Sequence, residues 1–137
     1  MTRHHLINPE GLPPALGFSY GATPAEGNVL YLAGLTGHKA DESIDDSIVD
    51  QFFEACRSVA RVIEEAGGEP SDLVSMTIYT SRIDEYRSHL KEIGVRYRQV
   101  FGRHYPPMAL FGIGELFDPR AKVELVCVAA VADRSDD

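Results

Sequence analysis

Cysteines, basic residues and long apolar runs are all scarce in this sequence. Cys56 and Cys127 are the only cysteines, and each lies in an apolar pattern, so we expect two buried thiols and no disulfide framework. No apolar run approaches the roughly 18 residues of a membrane span, and residues 1–9 lack the apolar stretch of a signal peptide. These absences predict a protein of the reducing cytoplasm with no membrane partner.

The shortage of basic residues has its own consequence. The chain has 13 Lys and Arg residues against 21 Asp and Glu residues, which gives a formal charge of −8. Proteins that bind nucleic acids usually carry a basic stripe that neutralises phosphates, and anionic membrane surfaces attract the same kind of stripe. Nucleic acids and membranes are therefore not expected partners, whereas small molecules and other proteins are.

The composition that is present fits a single domain over residues 1–137. Hydrophobic residues make up 44% and charged residues 25% of the chain, as in ordinary soluble globular proteins. A chain of this length buries about two-thirds of its unfolded surface, which is enough for one hydrophobic core.

Two stretches have the 3.6-residue apolar period of amphipathic helices. The first spans residues 49–63 and stops at the glycine pair 67–68, a common way for a helix to end. The second is predicted as one continuous helix over residues 84–101, with Asp84 as its N-cap.

Apolar runs bounded by turn residues predict the strands. They lie at 29–33, 73–79, 108–113 and 122–131, with a further short extended segment at 18–20 joined to the first of them by a hairpin connection over 22–28. This order of elements predicts an α+β fold in which a mixed six-stranded sheet carries two helices on one face. The other face of the sheet is then apolar as well, and a homo-oligomer that packs sheets together would cover it.

Motifs for metals and organic cofactors are missing. The five histidines have no metal-ligand partner at a recognised spacing, and neither a nucleophile elbow nor a phosphate-binding loop is present. We therefore expect the protein to use no metal and no cofactor.

Glu124 is the only charged residue in the apolar run 123–131. A buried carboxylate without a partner is costly, so a Glu at this position needs a partner, a water molecule or a function. Two interpretations stay open. Glu124 either pairs structurally with a backbone amide, a Lys or an Arg, or it holds water and handles protons at the edge of a cleft.

Six segments follow one another in a characteristic order. They are Asn8-Pro9-x-Gly11, the glycine-bounded strand 27–34, a Gln51-led helix that ends in 65–67, the strand 72–77, Pro106-Pro107, and the closing run 123–130. Together, over roughly residues 6–132, they resemble the Rid family (RidA/YjgF), which are small enamine/imine deaminases.

The resemblance implies a chorismate-mutase-like α+β fold, assembled as a homotrimer whose sheets line a central barrel and whose sites lie in the clefts between subunits. In active members, water attacks the C=N carbon of a 2-imino acid and releases ammonia and a 2-keto acid, without a metal or organic cofactor. An Arg in the penultimate strand holds the substrate carboxylate, and a Glu in the last strand helps to place the water.

Carried over by position, the resemblance makes Glu124 the candidate catalytic residue. The candidate substrate-binding residues include Gly34, Ala33 in place of a frequent Ser, and Ser19 or Tyr20 in place of a pocket Tyr. They also include Met108 at the position of the Arg, Leu110 at the position of a frequent Cys, and Arg103. We expect Met108 and Glu124 to line one pocket.

Replacing the Arg by Met108 weakens a carboxylate site, because a bidentate Arg–carboxylate contact is one of the strong hydrogen bonds. Arg103 or Arg120 could supply a cation from the same or a neighbouring subunit. The alternatives are that both are solvated surface residues, and that Met108 makes the pocket suitable for an uncharged or aromatic ligand.

The leading hypothesis is a Rid-family homotrimer, outside the Arg-containing deaminases, that binds a small enamine- or imine-like metabolite. Its enzymatic version is a cofactor-independent hydrolase of a C=N bond. The second hypothesis is a non-catalytic, ligand-binding or protein-protecting trimer. Ribonuclease activity or translation inhibition, also ascribed to this family, is disfavoured by the charge of −8.

Overall fold

The computed structural model describes residues 1–133, so the last four residues of the predicted domain 1–137 lie outside the described part. Its strands are β1 (His5–Ile7), β2 (Gly21–Thr23), β3 (Asn28–Tyr31), β4 (Leu35–Thr36), β5 (Leu73–Thr80), β6 (Met108–Gly112) and β7 (Val123–Val131). Its helices are α1 (Ile48–Glu65), α2 (Ile83–Ser88) and α3 (Leu90–Phe101), and one 3-10 turn spans Pro70–Asp72. The predicted α+β class is confirmed.

α1 is the amphipathic helix that the apolar period predicts. Ser47 caps it, and the Ser47 Oγ accepts a hydrogen bond of 3.2 Å from the backbone N–H of Asp50. Beyond the helix, Gly67 has a φ of +88°, the left-handed conformation with which many helices terminate. The buried face of α1 packs on β7 and β4.

Gln51 is the one polar residue on the buried face of α1. Its side-chain amide nitrogen donates to the backbone oxygens of Asp45 at 2.7 Å and Arg120 at 3.0 Å, and its Oε1 accepts from the backbone N–H of Lys122 at 2.8 Å. Gly37 lies directly against it, because a Cβ on Gly37 would come within 2.7 Å of the Gln51 Cα. Gln51 therefore joins α1 to the segment before it and to the β6–β7 loop.

Within residues 1–133 the main sheet is mixed, as predicted, and it contains five strands, against the six that the sequence predicts. Its order is β3-β7-β5-β6, and β4 pairs with β7 beyond the end of β3. β5 and β6 are parallel, whereas β7 is antiparallel to its neighbours. β1 and β2 form a separate two-stranded sheet.

The short extended segment at 18–20 is not joined to β3 by a hairpin, which corrects the predicted connection. The backbone N–H of Ser19 donates to the carbonyl of Pro106 at 3.2 Å, which holds this segment beside the start of β6. Residues 21–23 then pair with β1, so the segment leads away from β3.

The second predicted helix is two helices, which corrects the expectation of one. The break falls at His89, whose φ of −117° and ψ of 21° are not helical. The His89 Nδ1 lies 2.8 Å from the carbonyl oxygen of Glu85. The side chain of His89 therefore binds the carbonyl that would accept from the backbone N–H of His89 in a continuous helix. α2 begins after Arg82, and Asp84 is not its cap.

The helices cover one face of the main sheet. Along β7, residues 123, 125, 127 and 129 are fully buried beneath the helices, whereas Glu124, Val126 and Val128 between them are half-buried. We call this second face the open face. Its larger side chains on the neighbouring strands are Val29, Tyr31, Tyr79 and Phe111. One chain therefore leaves an apolar sheet face uncovered.

Both cysteines are buried and free, as expected. Burial raises the pKa of the Cys127 thiol to about 12, so it stays protonated at neutral pH. Within residues 1–133, no helix is both long enough and apolar enough to cross a membrane.

His104 is a buried histidine, 6% exposed, at the end of the α3–β6 connection. Its Nε2 lies 2.7 Å from the carbonyl oxygen of Leu73, so Nε2 carries the proton, while Nδ1 has no partner among the described residues. Burial lowers the pKa of His104 from its ordinary value of 6.5.

Replacing Gln51 by Leu is expected to lower the free energy of unfolding by about 2–4 kcal/mol, because three buried backbone groups lose their partner. Urea unfolding of Gln51→Leu measures this change. Gln99→Leu on the exposed side of α3 is the matched control and should stay within about 0.5 kcal/mol of the parent. An equal effect of the two substitutions would contradict the role of Gln51.

The lowered pKa of His104 predicts a pH-dependent stability. Above pH 6.5 the His104 side chain is neutral in both the folded and the unfolded protein. Below pH 6.5 the unfolded chain binds a proton more readily than the folded one, so the free energy of unfolding falls as the pH falls. His104→Gln keeps an N–H for Leu73 and removes the titration. The free energy of unfolding measured at pH 7 and pH 5 should therefore drop further in the parent than in His104→Gln, and equal drops would show that His104 contributes nothing.

Candidate functional site

Glu124 lies half-buried on the open face, with its carboxylate against the backbone between β3 and β4. A Cβ on Gly34 would come within 2.7 Å of the Glu124 Oε2, so the glycine makes room for the carboxylate. Within residues 1–133 this carboxylate has no hydrogen bond and no ion pair. The interpretation of Glu124 as a paired structural carboxylate therefore finds no partner among the described residues, and the group is free to hold water or a cation.

The neighbours of Glu124 follow from the strand register. Thr36 of β4 is its direct cross-strand partner on one side, and Tyr79 of β5 is its partner on the other. Directly opposite residues in an antiparallel pair point to the same face, with Cβ atoms about 5 Å apart. Tyr79 also stacks on Phe111 of β6, with ring centroids 5.9 Å apart. The carboxylate thus lies between a hydroxyl and an aromatic pair.

Thr36 begins a short hydrogen-bonded series of side chains. The Thr36 Oγ1 lies 2.5 Å from Nδ1 of His38, and the Nε2 of His38 lies 2.8 Å from Oδ2 of Asp118. All three side chains are half-buried. A hydroxyl, an imidazole and a carboxylate in this order can pass a proton in either direction.

Arg120 keeps the carboxylate of Asp118 ionised. Its guanidinium donates to both carboxylate oxygens, at 3.2 Å and 2.7 Å, and its backbone N–H donates to Oδ1 at 2.9 Å. These hydrogen bonds from Arg120, with the one from His38, hold the pKa of Asp118 well below its usual range. Asp118 is therefore ionised and can only accept hydrogen bonds.

Within one chain, Met108 and Glu124 lie on opposite faces of the sheet, so a shared pocket between subunits stays a prediction. Met108 is paired in register with Met76, and Met76 with Cys127, so all three belong to the helix-covered face. Met108 lines a cavity of about 370 Å³ between β6 and the helices, together with Tyr86, Ile93 and Tyr97. Side chains alternate between the faces of a strand, so Leu110 follows Met108 to the helix side.

The residues of β6 that share the face of Glu124 are Ala109 and Phe111. β6 reads Met-Ala-Leu-Phe-Gly and has no cation on either face. β6 therefore contains no Arg, and the alignment of Met108 with the family's Arg stays a prediction.

Ser19 and Tyr20 lie beside the start of β6 rather than beside Glu124. The buried hydroxyl of Ser19 donates to the carbonyl of Tyr105 at 2.6 Å, and the hydroxyl of Tyr20 donates to the carbonyl of Pro13 at 2.7 Å. Both hydroxyls are thus engaged in holding the loop that crosses this edge of the sheet.

The remaining predicted residues are divided between two places. Ala33 is exposed in the gap between β3 and β4, next to Gly34. Arg103 is exposed after α3 and lines a different cavity, with Met1, Thr2 and Leu6. Arg120 is held by Asp118. The structure therefore brings together Ala33, Gly34 and Glu124, but not Arg103.

The sequence did not point to Thr36, His38 or Asp118. The only local signal is the Thr-x-His spacing after a strand, and Asp118 follows His38 by 80 residues. Among the described residues, no group of three or more His, Cys, Asp or Glu side chains is arranged to hold a metal ion.

Comparisons with known proteins agree with this fold. A family model described as Endoribonuclease L-PSP matches residues 12–131. A 2-iminobutanoate/2-iminopropanoate deaminase from Dermatophagoides farinae is 23% identical over 133 residues, which are 96% of this chain and 99% of the relative.

Two solved structures have the same fold. A Yersinia pestis protein of the conserved Rid family, of unknown function, superposes with a TM-score of 0.84 at 21% identity, over 95% of this chain and 100% of that one. A Mycobacterium tuberculosis member of the YjgF/YER057c/UK114 family gives a TM-score of 0.64 at 26% identity, over 93% and 99% of the two chains. With a family match that covers most of its length, this chain belongs to the Rid (RidA/YjgF) family.

Proposed function

We propose that this protein hydrolyses the C=N bond of a small imine or enamine that carries no carboxylate, with Glu124 placing the attacking water. The observation that carries the proposal is the carboxylate of Glu124, which packs against Gly34 on the open face and has no partner in the part of the chain that the structure describes. A half-buried carboxylate can orient water and accept its proton. Family membership and the deaminase from Dermatophagoides farinae support the reaction class.

The charges around Glu124 support a neutral or cationic substrate. β6 offers no cation for a substrate carboxylate, and Arg120, the Arg of the β6–β7 loop, is already paired with Asp118. A protonated imine instead places its positive charge next to Glu124, where opposite charges attract. The chain's charge of −8 also opposes an RNA substrate.

We further propose that the working unit is a homotrimer whose open faces pack together and whose ligand pocket lies between subunits. The uncovered apolar side chains of the open face support this assembly, since apolar surface of this kind marks interaction sites. Tyr31 is 78% exposed on β3, and Phe111 is 51% exposed on β6. The two buried, free cysteines are compatible with a reducing compartment such as the cytoplasm.

A second candidate is a trimer that binds its ligand without hydrolysing it. The observation in its favour is again β6, which lacks the cation that a clamped substrate would use. The two candidates differ in one outcome, because only the first needs the proton-accepting carboxylate of Glu124 for turnover.

The trimer predicts a mass of three times 15.1 kDa in sedimentation equilibrium. Val128→Glu places a charge in the middle of the open face and should shift the equilibrium towards monomers, because an unpaired charge is costly in an apolar interface. Val62→Glu, the same change on the outer side of α1, is the matched control and should leave the mass unchanged. A monomeric parent protein would contradict the assembly.

Glu124→Gln should lower the rate of imine hydrolysis about a hundredfold, because the amide cannot accept a proton. Gly34→Ala keeps the charge but pushes the carboxylate aside, and should lower the rate about tenfold. The substrates are 2-iminopropionate, generated in situ, and N-benzylidenemethylamine, which has no carboxylate and releases benzaldehyde that is followed by absorbance.

The parent should prefer the carboxylate-free imine. Glu115→Gln in the exposed β6–β7 loop is the matched control and should keep the parent rate. Parent rates equal to buffer for both substrates would contradict the enzymatic proposal and leave the binding candidate, and a preference for 2-iminopropionate would contradict the substrate class.

A further inference from the structure

We propose that Thr36, His38 and Asp118 form a proton relay that serves the nitrogen of the substrate held at Glu124. This inference rests on the proposed function, because it assigns the proton donor for the same C=N hydrolysis. Thr36 is the residue that would contact the substrate, whereas His38 and Asp118 act through it.

The donors and acceptors of the three side chains determine which way the hydrogen bonds between Thr36, His38 and Asp118 point. The ionised Asp118 only accepts, so Nε2 of His38 must carry a proton in the 2.8 Å contact. When the imidazole is neutral, Nδ1 has no proton and accepts from the Thr36 hydroxyl; when it is protonated, Nδ1 donates to Thr36 and frees the hydroxyl proton for another acceptor. The 2.5 Å contact between Thr36 Oγ1 and Nδ1 serves both states.

The register places the end of this series at the candidate site. Thr36 and Glu124 are direct cross-strand partners on the open face, so their side chains leave the sheet about 5 Å apart. A C=N group between them would meet a carboxylate on one side and a hydroxyl on the other. Hydrolysis needs both, since water must lose a proton and the departing nitrogen must gain one.

A protonated imine gives a balanced sequence. Water attacks the carbon as one of its protons goes to Glu124, and the C=N electron pair moves to nitrogen. The nitrogen of the resulting amino alcohol takes the Thr36 hydroxyl proton, which is replaced from Nδ1 of the His38 imidazolium. The C–N bond then breaks with both electrons on nitrogen, and the amine leaves. The protonated carbonyl that remains gives its proton through Thr36 to His38. Glu124 passes its own proton to the released amine.

Several charged groups belong to the segments that adjoin the relay. They are Asp118 and Arg120 of the β6–β7 loop, Glu124 of β7, Glu42 near Arg120, and Lys39, which is paired with Asp45. Of these groups, Asp118 contacts the imidazole directly and so orients it for the relay.

The experiment compares Thr36→Val with Thr36→Ser. Both are close in size to Thr, but only Ser keeps the hydroxyl. With N-benzylidenemethylamine as substrate, Thr36→Val should lower kcat about a hundredfold with KM unchanged, whereas Thr36→Ser should stay within a few-fold of the parent. His38→Ala should lower kcat about as much as Thr36→Val, and added imidazole should restore part of its rate.

A purely structural role for the series predicts a different pattern. Thr36→Val and Thr36→Ser would then differ in urea unfolding but not in kcat, and imidazole would rescue nothing. That result, with Glu124→Gln still inactive, would overturn the relay and leave the proposed function standing. Parent hydrolysis at the rate of buffer would overturn the proposed function and the relay with it.

Discussion

The buried amide of Gln51 is the contact on which the candidate site depends. Its three hydrogen bonds connect α1 to the segment before it and to the β6–β7 loop, and Gly37 packs directly against its Cα. Gly37 separates Thr36 from His38, and Arg120 follows Asp118 by two residues. One side chain therefore positions both halves of the proposed relay, although it lies on the opposite, helix-covered side of the sheet.

The helices and the long strands could be predicted because each is specified locally. The apolar period defines α1 almost to the residue, and the continuous apolar run defines β7 with Glu124 as its exception. The break at His89 was not visible, since it depends on a side chain that bonds the carbonyl of Glu85. The separate sheet of β1 and β2 depends on long-range pairing that the sequence pattern does not encode.

The candidate site could be predicted only in part, for a similar reason. Glu124 was identified as the charged residue of an apolar run and Gly34 through family resemblance, and the structure places them in contact. Met108 was assigned to the same pocket, but the pairing of β6 with β5 puts it on the other face. A shift of one residue in a strand reverses every side chain, and a sequence alone does not fix that phase. The contact between His38 and Asp118 spans 80 residues, so it exists only in the folded chain.

The position of β7 in the sheet also affects how the protein is made. β7 pairs with β3, β4 and β5, and all three precede it in the chain. During translation these strands leave the ribosome before the partner that satisfies their backbone groups exists. Until residues 123–131 emerge, the nascent chain holds open strand edges of the kind that drive aggregation. Premature termination anywhere before β7 would therefore yield a product without its central strand. Rapid completion of the chain, or binding of a chaperone to the nascent chain, should matter more for this protein than for one whose strands pair in the order of synthesis.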